Sequence, residues 1–371
     1  MERLAFVRRW WWPTLTIGLA ALFAFSQVPA PGTVERWFSL AWYPRVQRVL
    51  TPASNLLSFA LLDVVSLAAA VACLVTIVRA VREARRERRG APIGRAALRL
   101  VTAGAVTYLV FLGLWGFNYR RVPMQQRLAL QGAAPASEQV VRLGRTAVDQ
   151  LNALHASAHA QGWSERAGDD ASLVRGFAET QRALSDAPPA VPGRLKQTMF
   201  GPYFRWSGVD GMVNPFGLEV VVNPDLLPFE RPFVAAHEWS HLAGYADEAE
   251  ANFVGWLSCI RASAAARYSG WLYLYWQVSG EVSEADRAAL WAVVAPGPRA
   301  DVNAIVARLR RGEVPVLRSA SWIVYDQYLK ANRVEAGVRS YGAVVTLILR
   351  ATFDPDWVPV RRGAQDREVS R

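Results

Sequence analysis

The chain has 371 residues, of which 52% are hydrophobic and 20% charged, and it carries a net charge of +11. This is too apolar for an ordinary soluble enzyme and too charged for a protein made only of membrane spans, so a membrane-embedded part joined to a globular part fits both figures. Two cysteines exclude a disulfide framework and a cysteine zinc site.

The first apolar stretch, residues 10–30, starts with Trp10, Trp11 and Trp12 and runs without a charge to Phe25, as expected of a span with an aromatic interface belt. Arg3, Arg8 and Arg9 ahead of it also suit a signal peptide. Pro29 and Pro31 make a poor cleavage context, however, and more spans follow, so a retained anchor is expected. Residues 31–54, with Trp37, Trp42, Tyr43 and several prolines, read as a short interfacial loop. A second span is expected at 56–78, with Asp63 as its only charge and in a structural role near one end, and a third at 98–117. Between them stand Arg79, Arg82, Arg85, Arg86, Arg88, Arg89 and Arg95, against only Glu83 and Glu87. The positive-inside rule puts this loop, 79–97, in the cytoplasm with the N-terminus, and everything after Asn118 outside it. Pinned between two spans and without interleaved aromatics, the arginines read as a topology signal beside membrane lipid and not as a nucleic-acid site.

From Tyr119 the pattern becomes globular. Ser137 is placed to cap an amphipathic helix ended by Gly162, and residues 170–184 read as another. His155 and His159 share a face of the first, but with no glutamate between them and no acidic ligand close in sequence they read as surface histidines. Residues 188–217, rich in Pro and Gly, read as loop. Leu218 to Asn223 reads as a strand, either an ordinary core strand or the edge that would hold an extended peptide beside an active-site helix.

The chemistry centres on His237-Glu238-Trp239-Ser240-His241. On a helix the two histidines lie one turn apart on the same face, where they can close on one zinc ion. A catalytic zinc takes three protein ligands and keeps a further position for water, so a third ligand is needed. Gly244 is placed to end this helix and Asp247 to cap the next. There Glu250 shares a face with Phe253, Val254 and Leu257 and is expected to point into the core, where a carboxylate needs a cation. Glu250 is therefore the expected third ligand. Glu248, roughly 200° round the helix with Asn252 and Gly255, is held in reserve. The plain structural reading of Glu250 is the acidic end of a capping box started by Asp247. Glu238 would stand beside the metal as general base.

Phe253 to Gly280 reads as buried helix and not as a fourth span, because Arg261 and Arg267 interrupt it. Further helices are expected from Ser283, at 299–311, at 321–331 and at 335–351, with a charged tail at 361–371.

Several blocks together resemble one family: Lys196-Gln197-Thr198-Met199-Phe200, Gly211 through Asn214-Pro215-Phe216, the Pro228-Phe229 approach to His237, Glu250-Ala251-Asn252-Phe253, and a late block with Asp326 to Asn332 and Gly337 to Tyr341. They look like the bacterial membrane-anchored family of the domain of unknown function DUF3810, which implies N-terminal spans and a His-Glu-x-x-His domain. The zinc segment is also similar to gluzincin metallopeptidases, which implies a downstream glutamate ligand. The spacing from His241 to Glu250 is short beside many gluzincins, so the choice between Glu248 and Glu250 stays open. Tyr325, Tyr328 and Tyr341 lie in the late block and are candidate oxyanion donors.

The expected architecture is mainly α and membrane-anchored. Three transmembrane helices fill residues 1–118, a predominantly helical zincin-like metallopeptidase domain with a small β-sheet fills 119–360, and a tail follows at 361–371. The expected function is zinc-dependent hydrolysis of a peptide or protein substrate outside the cytoplasm. The alternative is a non-catalytic envelope module, stapled by zinc, that binds a partner protein; four protein ligands and no water would mark it.

Overall fold

A computed structural model of the chain describes residues 2–26, 29–132, 134–164, 170–312, 314–320, 323, 327 and 343–362. The protein is mainly helical with one small mixed sheet. Helix α1 (Glu2–Phe25) is followed by a π-helical segment (Val34–Trp42) that runs directly into α2 (Tyr43–Asn55), and then by α3 (Leu61–Glu87) and α4 (Ala91–Leu114). Residues 31–54 are thus helical and not the expected loop. Pro31 and Pro44 are tolerated because they occupy the first positions of helical stretches, where little is lost with the missing N–H, while Pro52 lies inside the last turn of α2.

Helices α3 and α4 are long and apolar enough to cross a membrane, while the apolar part of α1, Trp12–Ala24, is shorter. The 24 residues of α4 rise about 36 Å, enough for a hydrocarbon core of about 30 Å. Along α3 the side chains of Val64, Leu67, Val71 and Leu74 are exposed. The expected arginine loop is a tight turn between helical extensions. Helix α3 continues to Glu87, α4 begins at Ala91, and Arg88 closes α3 at φ 51°. Across this hairpin Arg95 pairs with Glu83 at 2.7 Å.

The opposite ends of these helices are fastened to the rest of the protein. Glu219 accepts hydrogen bonds from the amides of Leu61 at 3.0 Å and Leu62 at 2.7 Å, so it caps α3 from the sheet. Asp63, one residue further, accepts from the Thr198 hydroxyl and the Met199 amide, which is the structural role expected of it. Phe23 near the end of α1 meets Phe117 edge-on at 5.6 Å, and Arg120 donates to the Phe23 carbonyl. The arginine turn therefore lies at the far end of α3, about 40 Å along the helix axis from that junction.

Helices α5 (Ser137–Gln161) and α6 (Ala171–Leu184) fall where periodicity puts them. Gln139 and not Ser137 ties the start of α5, its side-chain oxygen accepting from the Ala136 amide at 2.8 Å. Gly162 ends that helix at φ 71°, and Asp170 caps α6 through the amides of Ser172 and Leu173. The stretch read as loop over 188–217 holds β1 (Leu195–Lys196), α7 (Gly201–Ser207) and β2 (Gly211–Asn214). Strand β3 (Glu219–Val222) lies between them, parallel to β1 and antiparallel to β2. It is the core strand of the two alternatives, buried at all four residues. Such a strand, covered on both faces, reads as a continuous apolar run without alternation. The edge is β2.

Five helices follow in close succession: α8 (Arg231–Leu242), α9 (Glu248–Ile260), α10 (Ala264–Glu281), α11 (Glu284–Ala292) and α12 (Pro296–Gly312). Helix α9 is buried from Glu248 to Cys259 and much of α10 is buried too, so the aromatic stretch after the motif is interior helix, as expected. The last helix is seen as α13 (Ala343–Arg350). Apart from residues 323 and 327, the helix expected at 321–331 lies outside the described residues, as does most of the tail. One hydrophobic core takes in Tyr43, Phe111, Leu112 and Trp115 along with Trp239, Trp256 and Val345, so packing is continuous across residue 118.

Candidate metal centre

Helix α8 is buried nearly throughout, and its carbonyl end is satisfied by groups from the N-terminal part of the chain. Trp115 Nε1 donates to the His241 carbonyl at 2.9 Å, the Tyr43 hydroxyl to the Leu242 carbonyl at 2.7 Å, and Arg121 to the Gly244 carbonyl at 3.0 Å. These are the carbonyls that a helix cannot satisfy within itself. Gly244 makes the turn at φ 84°, and a Cβ there would stand 2.9 Å from Asn118 Oδ1, so both conformation and space call for glycine.

The turn brings α9 back across α8. Gly255 is the close point of the crossing, since a Cβ there would lie 3.1 Å from the His237 amide nitrogen. One turn or two before Gly255 on the same face come Asn252 and Glu248. The result is a group of three: Nε2 of His237 and Nε2 of His241 lie 3.4 and 3.7 Å from the same oxygen, Oε2 of Glu248. Zinc bonds of about 2.0–2.1 Å at the tetrahedral angle separate ligand atoms by about 3.3 Å, so the spacing fits a single ion.

The surroundings fit as well. His241 donates its Nδ1 hydrogen to the Tyr245 carbonyl at 2.7 Å, which leaves Nε2 to face Glu248. His237 Nδ1 is buried without a well-formed hydrogen bond, although Asn252 lies beside it. Burial and the neighbouring His241 push His237 down to about 4. Burial also opposes the charge on His241, but Glu248 outweighs it and holds His241 up at about 9. Two buried imidazoles therefore share one carboxylate and compete for one proton, an arrangement that a divalent cation satisfies better than a proton does.

Glu250, the expected third ligand, is not in this group. Its carboxylate accepts from the Met124 amide at 2.5 Å and lies 3.5 Å from Arg127, while its own amide donates to the capping Asp247. The difference has a physical reason. Periodicity points the apolar face at α8, but α9 is buried all round, so polarity cannot tell its sides apart. The crossing selects the face of small residues, where the backbones approach, and Glu248 is on that face with Gly255. Phe253 faces the other way, towards Trp256 and Phe353. The capping-box reading of Glu250 is half realised, because Asp247 caps its amide but Glu250 does not return the bond.

Glu238 lies against the start of β2: a Cβ on Gly211 would be 2.6 Å from Glu238 Oε1, so any larger residue there would push the carboxylate aside. Its other oxygen, Oε2, is buried without a hydrogen bond. Burial pushes the Glu238 carboxyl up to about 8, opposed by His241 and reinforced by Glu248 and Asp210. Asp210 in turn is held by Arg308 of α12 at 2.9 Å, and Arg308 reaches Glu230 at 2.7 Å with its other nitrogen.

Tyr325, Tyr328 and Tyr341 lie outside the described residues. A tyrosine that sequence reasoning passed over is Tyr273 of α10. Its ring stacks on Phe233 at 3.6 Å, its hydroxyl is buried without a hydrogen bond, and burial together with the charge of Glu248 raises it well above the ordinary phenol range. In sequence it is one aromatic residue among several, with no spacing to single it out. Gly211 stands out in the sequence only as part of a family-resembling block, and Asp210 and Arg308 carry no signal, since only the folded chain links them to Glu238.

The described residues thus define a mainly helical protein with a small mixed sheet and a buried His-His-Glu group that could hold a metal ion. The family model described as protein of unknown function DUF3810 matches residues 38–349, and the chain belongs to that family. Comparison with curated proteins and with solved structures gives no match.

Proposed function

We propose that the chain is a membrane-anchored zinc-dependent peptidase, with His237, His241 and Glu248 as the metal ligands. The observation that carries this reading is the convergence of both Nε2 atoms on one Glu248 oxygen, with the Glu238 carboxylate beside them. Zinc held there would polarise the scissile carbonyl and acidify the attacking water. Glu238 would take that water's proton and pass it to the leaving amine, and its otherwise unbonded Oε2 is free for the task. Strand β2 is the sheet edge nearest the motif helix, so an extended peptide would lie along it by main-chain hydrogen bonds. Tyr273 joins Tyr325, Tyr328 and Tyr341 as a candidate donor to the oxyanion. The side chains of His237 and His241 keep 13 and 11% exposure, a narrow opening through which a substrate carbonyl would enter.

Two features support a multi-pass anchor in the cell membrane, with the candidate centre outside the cytoplasm. The ends of α1, α3 and α4 that meet the globular part lie on one side, and the arginine-rich turn lies at the other. Helix α1 would complete the three spans. The test of activity is metal analysis of the purified full-length protein combined with a peptide-library digest. Wild type should bind zinc and cleave; Glu238→Gln should keep the zinc and lose cleavage. A Glu238→Gln variant as active as wild type would remove the general base and with it this mechanism. If both proteins bind zinc and neither cleaves, the non-catalytic zinc-stabilised module is the better reading.

A further inference from the structure

The chain's four histidines fall into two pairs, and in the second pair His159 is exposed, as its sequence suggested, while His155 is half-buried. His155 and His159 project from α5 towards α12, where Asp301 meets them. Asp301 Oδ2 lies 2.9 Å from His159 Nε2 and 3.6 Å from His155 Nε2, and the three ligand atoms lie within 4.8 Å of one another. We propose that His155, His159 and Asp301 form a second metal site, distinct from the motif centre, that takes a divalent transition ion with zinc as the natural occupant.

Four observations carry this. The first is the donor set, since two imidazole nitrogens and one carboxylate oxygen are what zinc accepts in mixed sites. The second is convergence. An ordinary hydrogen bond from His159 to Asp301 accounts for the shorter contact, but it gives no reason for the His155 Nε2 to aim at the same oxygen. The third is burial. Asp301 is only 7% exposed, and among the described residues its ion-pair partners are these two imidazoles, with no lysine or arginine beside it. A buried carboxylate without a fixed counter-charge calls for a cation. The fourth is the way the walls are built. The Tyr268 hydroxyl donates to Asp301 Oδ2 at 2.5 Å and so orients the carboxylate, as outer partners of metal ligands do. The rings of Trp163, Phe229 and Tyr268 stand against His159. Gly297 leaves the space that the His155 ring occupies, for a Cβ there would lie 2.4 Å from it. His159 itself remains exposed, which gives the ion an entry path and room for water in its remaining position.

The ion would join α5, which carries both histidines, to α12, which carries Asp301. Arg308 lies two turns along α12 from Asp301 and holds Asp210, the neighbour of Gly211 on Glu238. The role inferred is therefore to fix α12 and, through Arg308, the start of β2.

The experiment uses the full-length protein in detergent, purified without chelator, with zinc counted by plasma mass spectrometry. Wild type should carry two equivalents. The double variant His155→Ala/His159→Ala should carry one, as should Asp301→Asn, which keeps the carboxylate's shape. The double variant His237→Ala/His241→Ala should also carry one, and after metal removal it should bind one Co2+ with the visible absorption of a low-symmetry site. This last arm isolates the second site, so it stands or fails apart from the peptidase reading. The proposal is overturned if the His237→Ala/His241→Ala protein, still folded by circular dichroism, holds no zinc and takes up no Co2+. It is equally overturned if the His155→Ala/His159→Ala protein retains the wild-type zinc content.

Discussion

Exchanging the two acidic residues at the start of α9 separates the metal from the scaffold. Glu248→Ala removes one of three groups that meet at a single point, with its carboxylate 3.4 and 3.7 Å from the two imidazole nitrogens. Loss of an outer-shell partner typically costs about 10–100-fold in metal affinity, so loss of a direct ligand should cost at least about 100-fold. Glu250→Ala removes different things. The buried Met124 amide loses its acceptor, and Arg127 loses its nearer carboxylate while keeping Glu35 at 3.9 Å. An orphaned buried donor costs about 1–3 kcal/mol, so the unfolding midpoint should fall by several degrees with zinc content unchanged. Glu250→Gln keeps an acceptor for the amide and should recover most of that loss. Zinc retained after dialysis and the thermal midpoint, measured on all three variants in detergent, read the two effects separately. A Glu250→Ala protein that loses zinc while Glu248→Ala keeps it would refute the geometry.

Three further outcomes are expected. Gly211→Ala forces a methyl to within 2.6 Å of Glu238 Oε1, so peptide cleavage should fall at least about tenfold with zinc content intact; an unimpaired rate would show that the carboxylate's position beside β2 does not matter. Glu219 gives a pH dependence: burial alone would raise its carboxyl, but Lys196, Asn214 and the amides of Leu61 and Leu62 outweigh burial and hold it below 4.5. Its contribution should be complete above about 4.5 and be lost as pH falls further, because the unfolded chain then binds the proton first. Acid titration of Glu219→Gln should lack that component of the wild-type loss. Finally, Trp115→Phe removes the indole donor from the buried His241 carbonyl, which keeps the Gly244 amide at 3.0 Å, and should destabilise the protein by about 0.5–1.5 kcal/mol; denaturant curves with unchanged midpoint would show that the bond contributes nothing.

The sequence made legible what depends on neighbours along the chain. The His-Glu-x-x-His spacing, the turn at Gly244 and the cap at Asp247 are all local, and all are present where expected. The face of α9 was not legible, because which side meets α8 depends on a helix crossing set by Gly255 and not on the pattern of polarity. The strands hidden in 188–217 were missed for a related reason. Leu195–Lys196 is too short to show alternation, and it pairs with β3 some two dozen residues away. Asp301 as a partner for His155 and His159 could not be read either, since more than half of the globular part separates it from them in sequence.

The bonds from Trp115, Tyr43 and Arg121 to the end of α8 bear on which substrates can be reached. They leave no hinge between the histidine motif and the ends of α2 and α4. With α3 and α4 in a bilayer, the candidate catalytic groups would stay at one altitude and one tilt above the lipid. A peptide tethered to the same leaflet would present its bonds at that altitude again and again, at a local concentration far above that of a free peptide. The bond cleaved would then be chosen by its distance from the membrane as much as by the side chains that flank it.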